Sequence, residues 1–261
     1  MFFRYLWTRS SRRRTVNLPG QSLDVSCLTE ALETGKYPMQ FEGHMAIISR
    51  GAGVALLLVG LALLPGNMRA AGPSYDDYVA QVKAGKIEID YTAFRLAYAA
   101  SPKYAPYGVV EIVSKLKKAY DAGDCPSAMA HANEVFEVNF VHMEAHKIAA
   151  FCLKKAGNEE EARRHYATFL GLFSSVLKSG DGKSPETAFV VIAVDEEYSV
   201  LETASLTPVK QALVNHGGSA FDRFEVKLPE SEKTATLFFN VDRPHAQLAR
   251  TLQNTLPQKK P

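Results

Sequence analysis

The chain has 261 residues, enough for one large domain or two small ones. Hydrophobic residues make up 46% and charged residues 22%, as in an ordinary globular protein, which excludes a disordered, collagen-like or disulfide-dense chain. The formal net charge of +2 gives no reason to expect a nucleic-acid partner.

The segment 45–71 has the order of a secretory signal peptide. It begins at Met45, carries a positive charge at Arg50, continues with an uncharged run over 51–64, and ends in the small residues Ala70 and Ala71. A helix that spans a bilayer needs about 20 apolar residues, so this run is too short for an anchor. The pattern therefore predicts export and cleavage.

A signal peptide belongs at an N-terminus, and this one is preceded by residues 1–44. We therefore expect 1–44 to be a non-native or over-extended start. The expected mature chain, 72–261, carries 22 basic and 24 acidic residues, a net charge of −2. We expect it to be periplasmic or secreted and to contain no stable membrane span.

The middle of the chain predicts helices that repeat. Apolar residues spaced three and four apart predict short helices over 75–86 and 91–98. Beyond them, two glycine turns at Gly123 and Gly157 lie 34 residues apart, which is the period of the tetratricopeptide repeat.

The two predicted helix pairs lie around these glycine turns. The first pair has helices over 110–122 and from Asp124 onward, and the second has helices over 145–155 and 159–173. This part of the chain resembles tetratricopeptide repeats. Two repeats alone bury little surface, so we expect flanking segments to cap them within a helical half that spans 72–178.

The period changes after a glycine-rich loop. The remaining apolar pattern predicts a buried strand over 188–194 and a short helix over 195–201 with Asp195 as its N-cap. A strand around 209–213 and a hairpin-like turn at 216–218 follow, with a short helix ending at Gly217 as the alternative. The last predicted elements are a hairpin of 224–228 with 237–241 and a final helix from Pro244. We expect a small α+β half over 179–250 and a frayed tail over 251–261. The predicted fold is α+β, with tetratricopeptide-like antiparallel helix pairs followed by a small antiparallel β-sheet.

Several runs are similar to a known family. They are Val82-Lys-Ala-Gly-Lys86, Asp90-Tyr-Thr-Ala-Phe-Arg-Leu-Ala-Tyr98, Ser101-Pro-Lys-Tyr-Ala-Pro-Tyr107, Gly180-Asp-Gly-Lys-Ser-Pro-Glu-Thr-Ala-Phe-Val-Val-Ile192 and Phe238-Phe-Asn-Val-Asp242. Through them the chain resembles the secreted bacterial family catalogued as domain of unknown function 4919. The resemblance implies a helical first half, a β-containing second half and export. It implies no known activity and therefore no catalytic residue.

Two local motifs suggest ligands that the rest of the pattern does not support. The run 180–184 suggests a phosphate-binding loop, but Leu177 stands where that motif requires glycine. His142 and His146 lie four residues apart on one helical face, but no third metal ligand accompanies them. We interpret the first as a connector, His146 as a packing residue and His142 as part of the bend between the repeats, and we expect no cofactor and no metal.

The carboxylates offer weak candidates for a site. The acids at 195–197 point about 100° apart on a helix, so we expect them to be first-turn acids that do not converge. His216, Asp222, Asn240 and Asp242 could gather at one end of the small sheet and bind a polar ligand. No nucleophile signature is present.

The cysteines form a pair once the expected signal is removed. Cys27 lies upstream of the signal, whereas Cys125 and Cys152 fall at adjacent ends of neighbouring predicted helices. An exported protein can hold them as a disulfide if their Cα atoms lie near 5–6 Å. The alternative is two small buried thiols.

The sequence favours a non-catalytic module that binds a protein or peptide partner in the cell envelope through a helical groove. The alternative is a small-ligand-binding or hydrolytic protein that uses the C-terminal half. We lean against an enzyme.

Overall fold

The computed structural model describes residues 15–18, 21–24, 72–229 and 232–255. Within this part of the chain, the helices are α1 (Tyr75–Lys83), α2 (Tyr91–Ala100), α3 (Val110–Asp121), α4 (Cys125–Val138), α5 (Met143–Lys155), α6 (Glu159–Leu177), α7 (Val194–Thr203) and α8 (Asp242–Thr255). The strands are β1 (Thr15–Leu18), β2 (Gln21–Asp24), β3 (Phe189–Val190), β4 (Thr207–His216), β5 (Ser219–Lys227) and β6 (Thr234–Asn240).

Polar side chains define where the helices of the first half begin. Ser74 and Asp77 form a reciprocal capping box at α1, because each side chain bonds the other residue's backbone N–H. Asp90 caps α2 by accepting a hydrogen bond from the backbone N–H of Ala93, and Asp124 caps α4 in the same way. These caps lie at the boundaries that the sequence predicts, so the helices start where local chemistry dictates.

The helices α3 to α6 form two pairs around the predicted glycine turns. Gly123 and Gly157 have φ angles of +73° and +81°, the left-handed conformation that ends a helix. The pairs α3 with α4 and α5 with α6 are in extensive contact. The helices lie close to the predicted bounds, while their likeness to tetratricopeptide repeats stays a prediction.

The helical half has an aromatic core that α2 closes from one side. Phe94 and Tyr98 of α2 are fully buried, as is Phe173 of α6. α2 approaches α6 at Gly171, where a Cβ atom would collide with the ring of Tyr91. A glycine is therefore required at this close contact.

The second half contains a four-stranded sheet in the order β3-β6-β5-β4. β4, β5 and β6 are antiparallel neighbours, and the β4–β5 turn is at 217–218 as predicted. The structure differs from the predicted sheet at β3 in two ways. This strand is only two residues long, and it pairs with β6 in parallel. Ala188 and residues 191–193 of the same run are buried in loop conformation and Val194 begins α7, because a segment can supply core side chains without continuing a strand.

The α+β fold class is confirmed, with a mixed rather than a purely antiparallel sheet.

The residue before α7 is Ala193, which makes no side-chain cap, so the prediction that Asp195 caps this helix is wrong. Asp195 instead contacts His142, the residue that precedes α5.

The glycine-rich connector folds on itself. Asp181 accepts hydrogen bonds from the backbone of Lys183 and the hydroxyl of Thr187, and Gly182 donates to the carbonyl of Thr187. The carbonyl of Gly182 accepts from the backbone N–H of Phe238, which fastens the loop to the sheet. These contacts are those expected of a loop that connects the helical half to the sheet.

Near the ends of the chain, the described residues include a hairpin in which Thr15 of β1 pairs with Asp24 of β2. The predicted signal segment 45–71 lies outside the described residues. Helix α8 continues to Thr255, into the segment expected to fray. Among the described helices, none combines the length and the apolar character that crossing a bilayer requires.

Candidate functional site

The three consecutive acids at the start of α7 reach three different partners. The nitrogen Nε2 of His142 lies 2.7 Å from Oδ2 of Asp195. Burial alone would lower the pKa of His142, but the charge of Asp195 and of nearby glutamates outweighs it and raises the pKa. The Nδ1 atom accepts from the backbone N–H of Ala145, so His142 also caps α5.

The second acid, Glu196, meets a buried arginine of the helical half. Arg95 Nε lies 3.4 Å from Glu196 Oε1, and the same guanidinium donates to Ser175 Oγ. Burial raises the pKa of Glu196 to about 7, although the charge of Arg95 opposes this rise. The other Glu196 oxygen accepts from the backbone N–H of Ile192, so this pair joins α2, α6 and the start of α7.

The third acid, Glu197, faces another carboxylate. Burial raises its pKa to about 9, and Asp222 on β5 adds to the rise. Neither oxygen of Glu197 has a hydrogen-bond partner among the described protein donors. Gln211 donates to Asp222 Oδ2 at 2.9 Å, which fixes the carboxylate. Burial near Asp222 therefore keeps Glu197 protonated at neutral pH where α7 meets the sheet.

These contacts lie between the two halves and leave little room for a ligand. Arg95, Glu196 and Glu197 are each at most 3% exposed, and Asp222 is 9% exposed. Nowhere in the described ranges do three metal-ligating side chains converge. The arrangement can orient the two halves relative to each other.

A partly enclosed cavity lies in the helical half, among α1, α4, α5 and α6. Its volume is about 220 Å³. The lining residues are Val82, Lys83, Asn133, Phe136, Glu137, Phe140, His146, Glu161, Arg164, His165 and Thr168. A larger but shallower depression of about 610 Å³ lies beside α1, bordered by Pro73, Tyr78 and Lys86, and is more open to solvent. The partly enclosed cavity is the candidate site, and we call it the groove.

The floor of the groove combines aromatic rings with a histidine pair. Phe136 and Phe140 are buried, and their ring centroids lie 4.5 Å and 5.1 Å from that of His146. His146 Nδ1 lies 2.9 Å from His165 Nδ1, and His146 Nε2 lies 2.8 Å from the carbonyl oxygen of Phe140. Burial lowers the pKa of both histidines, so neutral imidazoles occupy the floor at pH 7.

The charges on the rim of the groove are balanced. Lys83 lies 3.9 Å from Glu137 and also sits over the ring of Phe140. Arg164 lies 3.3 Å from Glu160. Each cation is accompanied by an acid, so the rim offers donors and acceptors without a strong net charge. This chemistry suits a polar, uncharged ligand surface such as a peptide backbone.

The four predicted site residues do not come together. His216 lies at the β4–β5 turn, where its ring contacts Glu186 in solvent. Asp222 lies opposite Phe239, whereas Asn240 lies opposite Phe221. Adjacent register positions point to opposite faces of a sheet, so Asp222 and Asn240 are on different faces.

Of the four, Asn240 and Asp242 do meet, across the junction of β6 and α8. β6 ends at Asn240, and Asp242 is the first residue of α8. The Asn240 amide donates to Asp242 Oδ2 at 3.0 Å, and Asp242 Oδ1 accepts from the backbone N–H of Ala220. These bonds fasten the start of α8 to β5, and they satisfy the polar groups that a ligand would need.

Cys125 and Cys152 are joined in a disulfide in the structure, with their Cα atoms 5.2 Å apart. Cys125 begins α4 and Cys152 lies near the end of α5, the adjacent helix ends that the sequence indicates. The bond links the two helix pairs on which the groove is built.

The sequence patterns do not reveal Arg95, Glu197 and His165 as site residues. Of the three, only Arg95 could have been noticed in the sequence, because it is a charged residue that interrupts the apolar stretch of α2. Glu197 lies in an acidic run that resembles an exposed first turn. His165 is 19 residues from its partner His146, so no local spacing marks the pair.

The model of one protein family, described as Domain of unknown function (DUF4919), matches residues 87–250. No curated protein matches the chain, and no solved structure does so either. The match covers α4, α5 and α6 of the groove and the whole four-stranded sheet, whereas α1 lies before it.

Proposed function

The chain belongs to the DUF4919 family, and we propose that it is a non-catalytic binding module whose groove holds a peptide segment of a partner protein. The observation that carries this proposal is the groove itself, a 220 Å³ cavity with an aromatic and imidazole floor beneath a polar rim. Concave surfaces between stacked helices commonly bind peptides.

The composition of the groove supports a peptide more than a compact charged ligand. Each of its cations, Lys83 and Arg164, lies beside an acid, so a phosphate or a free carboxylate would meet a negative charge next to each positive one. Asn133 is exposed at the rim and carries both a donor and an acceptor, which match the alternating groups of a peptide backbone.

We place the partner in the cell envelope, on the basis of the signal-like segment 45–71. Localisation is a separate part of the proposal and has a separate test. Fractionation of the source cells should find the chain outside the cytoplasm and shortened to a mass that begins near residue 72. A full-length cytoplasmic protein would contradict it.

The binding proposal is tested by selecting peptides from a random library on the purified full chain and measuring their affinity by fluorescence anisotropy. Asn133→Trp places a large ring at the groove rim and should weaken binding at least tenfold. Glu134→Trp is the matched control, since Glu134 is the next residue of α4, is exposed and does not line the groove. Equal affinities of the two variants, or a library without binders, would contradict the proposal.

The second candidate is a small-ligand-binding or hydrolytic role for the C-terminal half. The observation in its favour is that Glu197, whose pKa burial raises to about 9, lies near a second carboxyl, that of Asp222, as in many acid–base sites. Burial of both carboxyls weighs against substrate access. Turnover of a broad panel of ester and glycoside substrates that disappears in Asp222→Asn would support this candidate over peptide binding.

A further inference from the structure

The two histidines in the groove form a chain of hydrogen bonds that runs from a buried backbone carbonyl to the cavity. The chain begins at the Phe140 oxygen, passes through both nitrogens of His146 and reaches His165 Nδ1. Any role of these histidines in ligand selection rests on the proposed function, because it concerns the ligand of the same groove.

The protonation of His146 is set by its partners. A carbonyl oxygen can only accept, so the proton that bonds to Phe140 must be on His146 Nε2. His146 is completely buried between the rings of Phe136 and Phe140, and its charged form is disfavoured there. His146 is therefore neutral, and its Nδ1 atom carries a lone pair that accepts a hydrogen bond.

The protonation of His165 is set in turn by His146. Since His146 Nδ1 accepts, the hydrogen atom between the two rings belongs to His165 Nδ1. A neutral imidazole has one proton, so His165 Nε2 carries a free lone pair. His146 occupies Nδ1, so Nε2 is the ring nitrogen left for a ligand, and His165 lines the groove.

The charged groups around His165 come from each element at the groove. They are Lys83 on α1, Glu137 on α4, and Glu161 and Arg164 on α6, while His146 on α5 is neutral. Lys83 and Glu137 offset each other, as do the opposing effects of Glu161 and Arg164 on His165. Burial is the largest influence on its pKa and favours the neutral ring.

We propose that His165 Nε2 accepts a hydrogen bond from a backbone N–H of the bound peptide and thereby selects the residue at that point. Proline lacks this N–H, so the groove discriminates against proline at one position of the ligand. His165 is a specificity-determining residue, and His146 and the Phe140 carbonyl are positioning groups that fix its tautomer.

The tautomer is tested without a ligand. Nitrogen-15 NMR of the uniformly labelled full chain at about pH 7.5 distinguishes protonated from unprotonated ring nitrogens. We expect His165 with a protonated Nδ1 and an unprotonated Nε2. A protonated Nε2 on His165 would overturn the inference, whatever the groove binds.

The contact is tested with the selected peptides by an ester scan, in which each backbone N–H is replaced in turn by oxygen. At one position the ester should weaken binding to the wild-type chain about three- to tenfold, the effect of one hydrogen bond. The same ester should not change the affinity for the His165→Leu variant, whose side chain has no acceptor. His165→Gln can place an amide oxygen near the position of Nε2 and should restore part of the effect.

The outcomes separate the two proposals. A peptide that binds at the groove with no position coupled to His165 overturns this inference and leaves the binding function standing. A library with no binder overturns both. Proline tolerated at every position of a tight-binding peptide also contradicts the inference.

Discussion

His142 and Asp195 join the two halves of the protein through an Nε2 to Oδ2 distance of 2.7 Å, although 53 residues separate them in sequence. His142 caps α5, which contributes to the groove, and Asp195 lies in the first turn of α7, which packs against the sheet. One buried imidazole therefore links a helix of the groove to the helix that packs against the sheet.

We predict that Asp195→Ala lowers the free energy of unfolding by about 1–3 kcal/mol, because it leaves the buried His142 Nε2–H without an acceptor. The matched control is Glu202→Ala, which removes a more exposed partner of Lys147 and should cost less than about 1 kcal/mol. Urea unfolding curves at pH 7 measure both values. Equal losses would show that the His142 contact is no stronger than a surface pair.

The pair of Arg95 and Glu196 should show strong coupling. Arg95→Met leaves a buried carboxyl without its cation, and we expect it to cost about 3–5 kcal/mol of unfolding free energy. The double variant Arg95→Met/Glu196→Gln should cost less than the sum of the two single variants, because no charge is then left unpaired. Additive losses in this double-mutant cycle would contradict a direct interaction.

Glu197 should make the protein less stable as the pH rises. Its pKa is raised from 4.5 to about 9 in the folded state, so between these values the folded chain holds a proton that the unfolded chain has released. Its stabilising contribution is complete below about pH 4.5 and is lost as the pH approaches and passes about 9.

The measurement compares unfolding free energies at about pH 5 and about pH 9. Glu197→Gln is neutral at both pH values, so its unfolding free energy should fall less between them than that of the wild type. Glu225→Gln on the exposed side of β5 is the control and should retain it. A wild-type decline that persists unchanged in Glu197→Gln would assign the effect to other groups.

The disulfide between Cys125 and Cys152 should contribute to stability through the 27-residue separation that it closes. Loop-closure entropy predicts about 3–4 kcal/mol for a loop of this size. The comparison is between the native chain and the Cys125→Ser/Cys152→Ser variant in urea. Alkylation without reductant, followed by mass spectrometry, should leave both cysteines unlabelled, and labelling of both would exclude the bond.

Local sequence determined the elements because their signals are local. Asp124 before α4, Gly123 and Gly157 at the turns, and the alternation along β5 each act within a few residues. The prediction is wrong at β3, where the apolar run indicates one long strand and the structure has two residues. Hydrophobicity alone reports burial, and burial does not require a strand.

The contacts between the two halves, like those of the groove, were less predictable, because their residues are brought together by tertiary packing. The acids of 195–197 do diverge as helix geometry requires, but each one meets a partner from a distant element. Helical spacing gives the direction of a side chain and says nothing about the surface it will face.

By itself, the sequence determined an α+β chain of capped helices and a hairpin-based sheet, and it identified Cys125 and Cys152 as candidates for a bridge. Only the tertiary structure decided that Arg95 meets Glu196, that burial near Asp222 raises the pKa of Glu197, and that His146 and His165 meet at the groove. The reason is that capping and periodicity act between near neighbours, whereas ion pairs, shared protons and tautomers depend on atoms that only the folded core brings within about 4 Å.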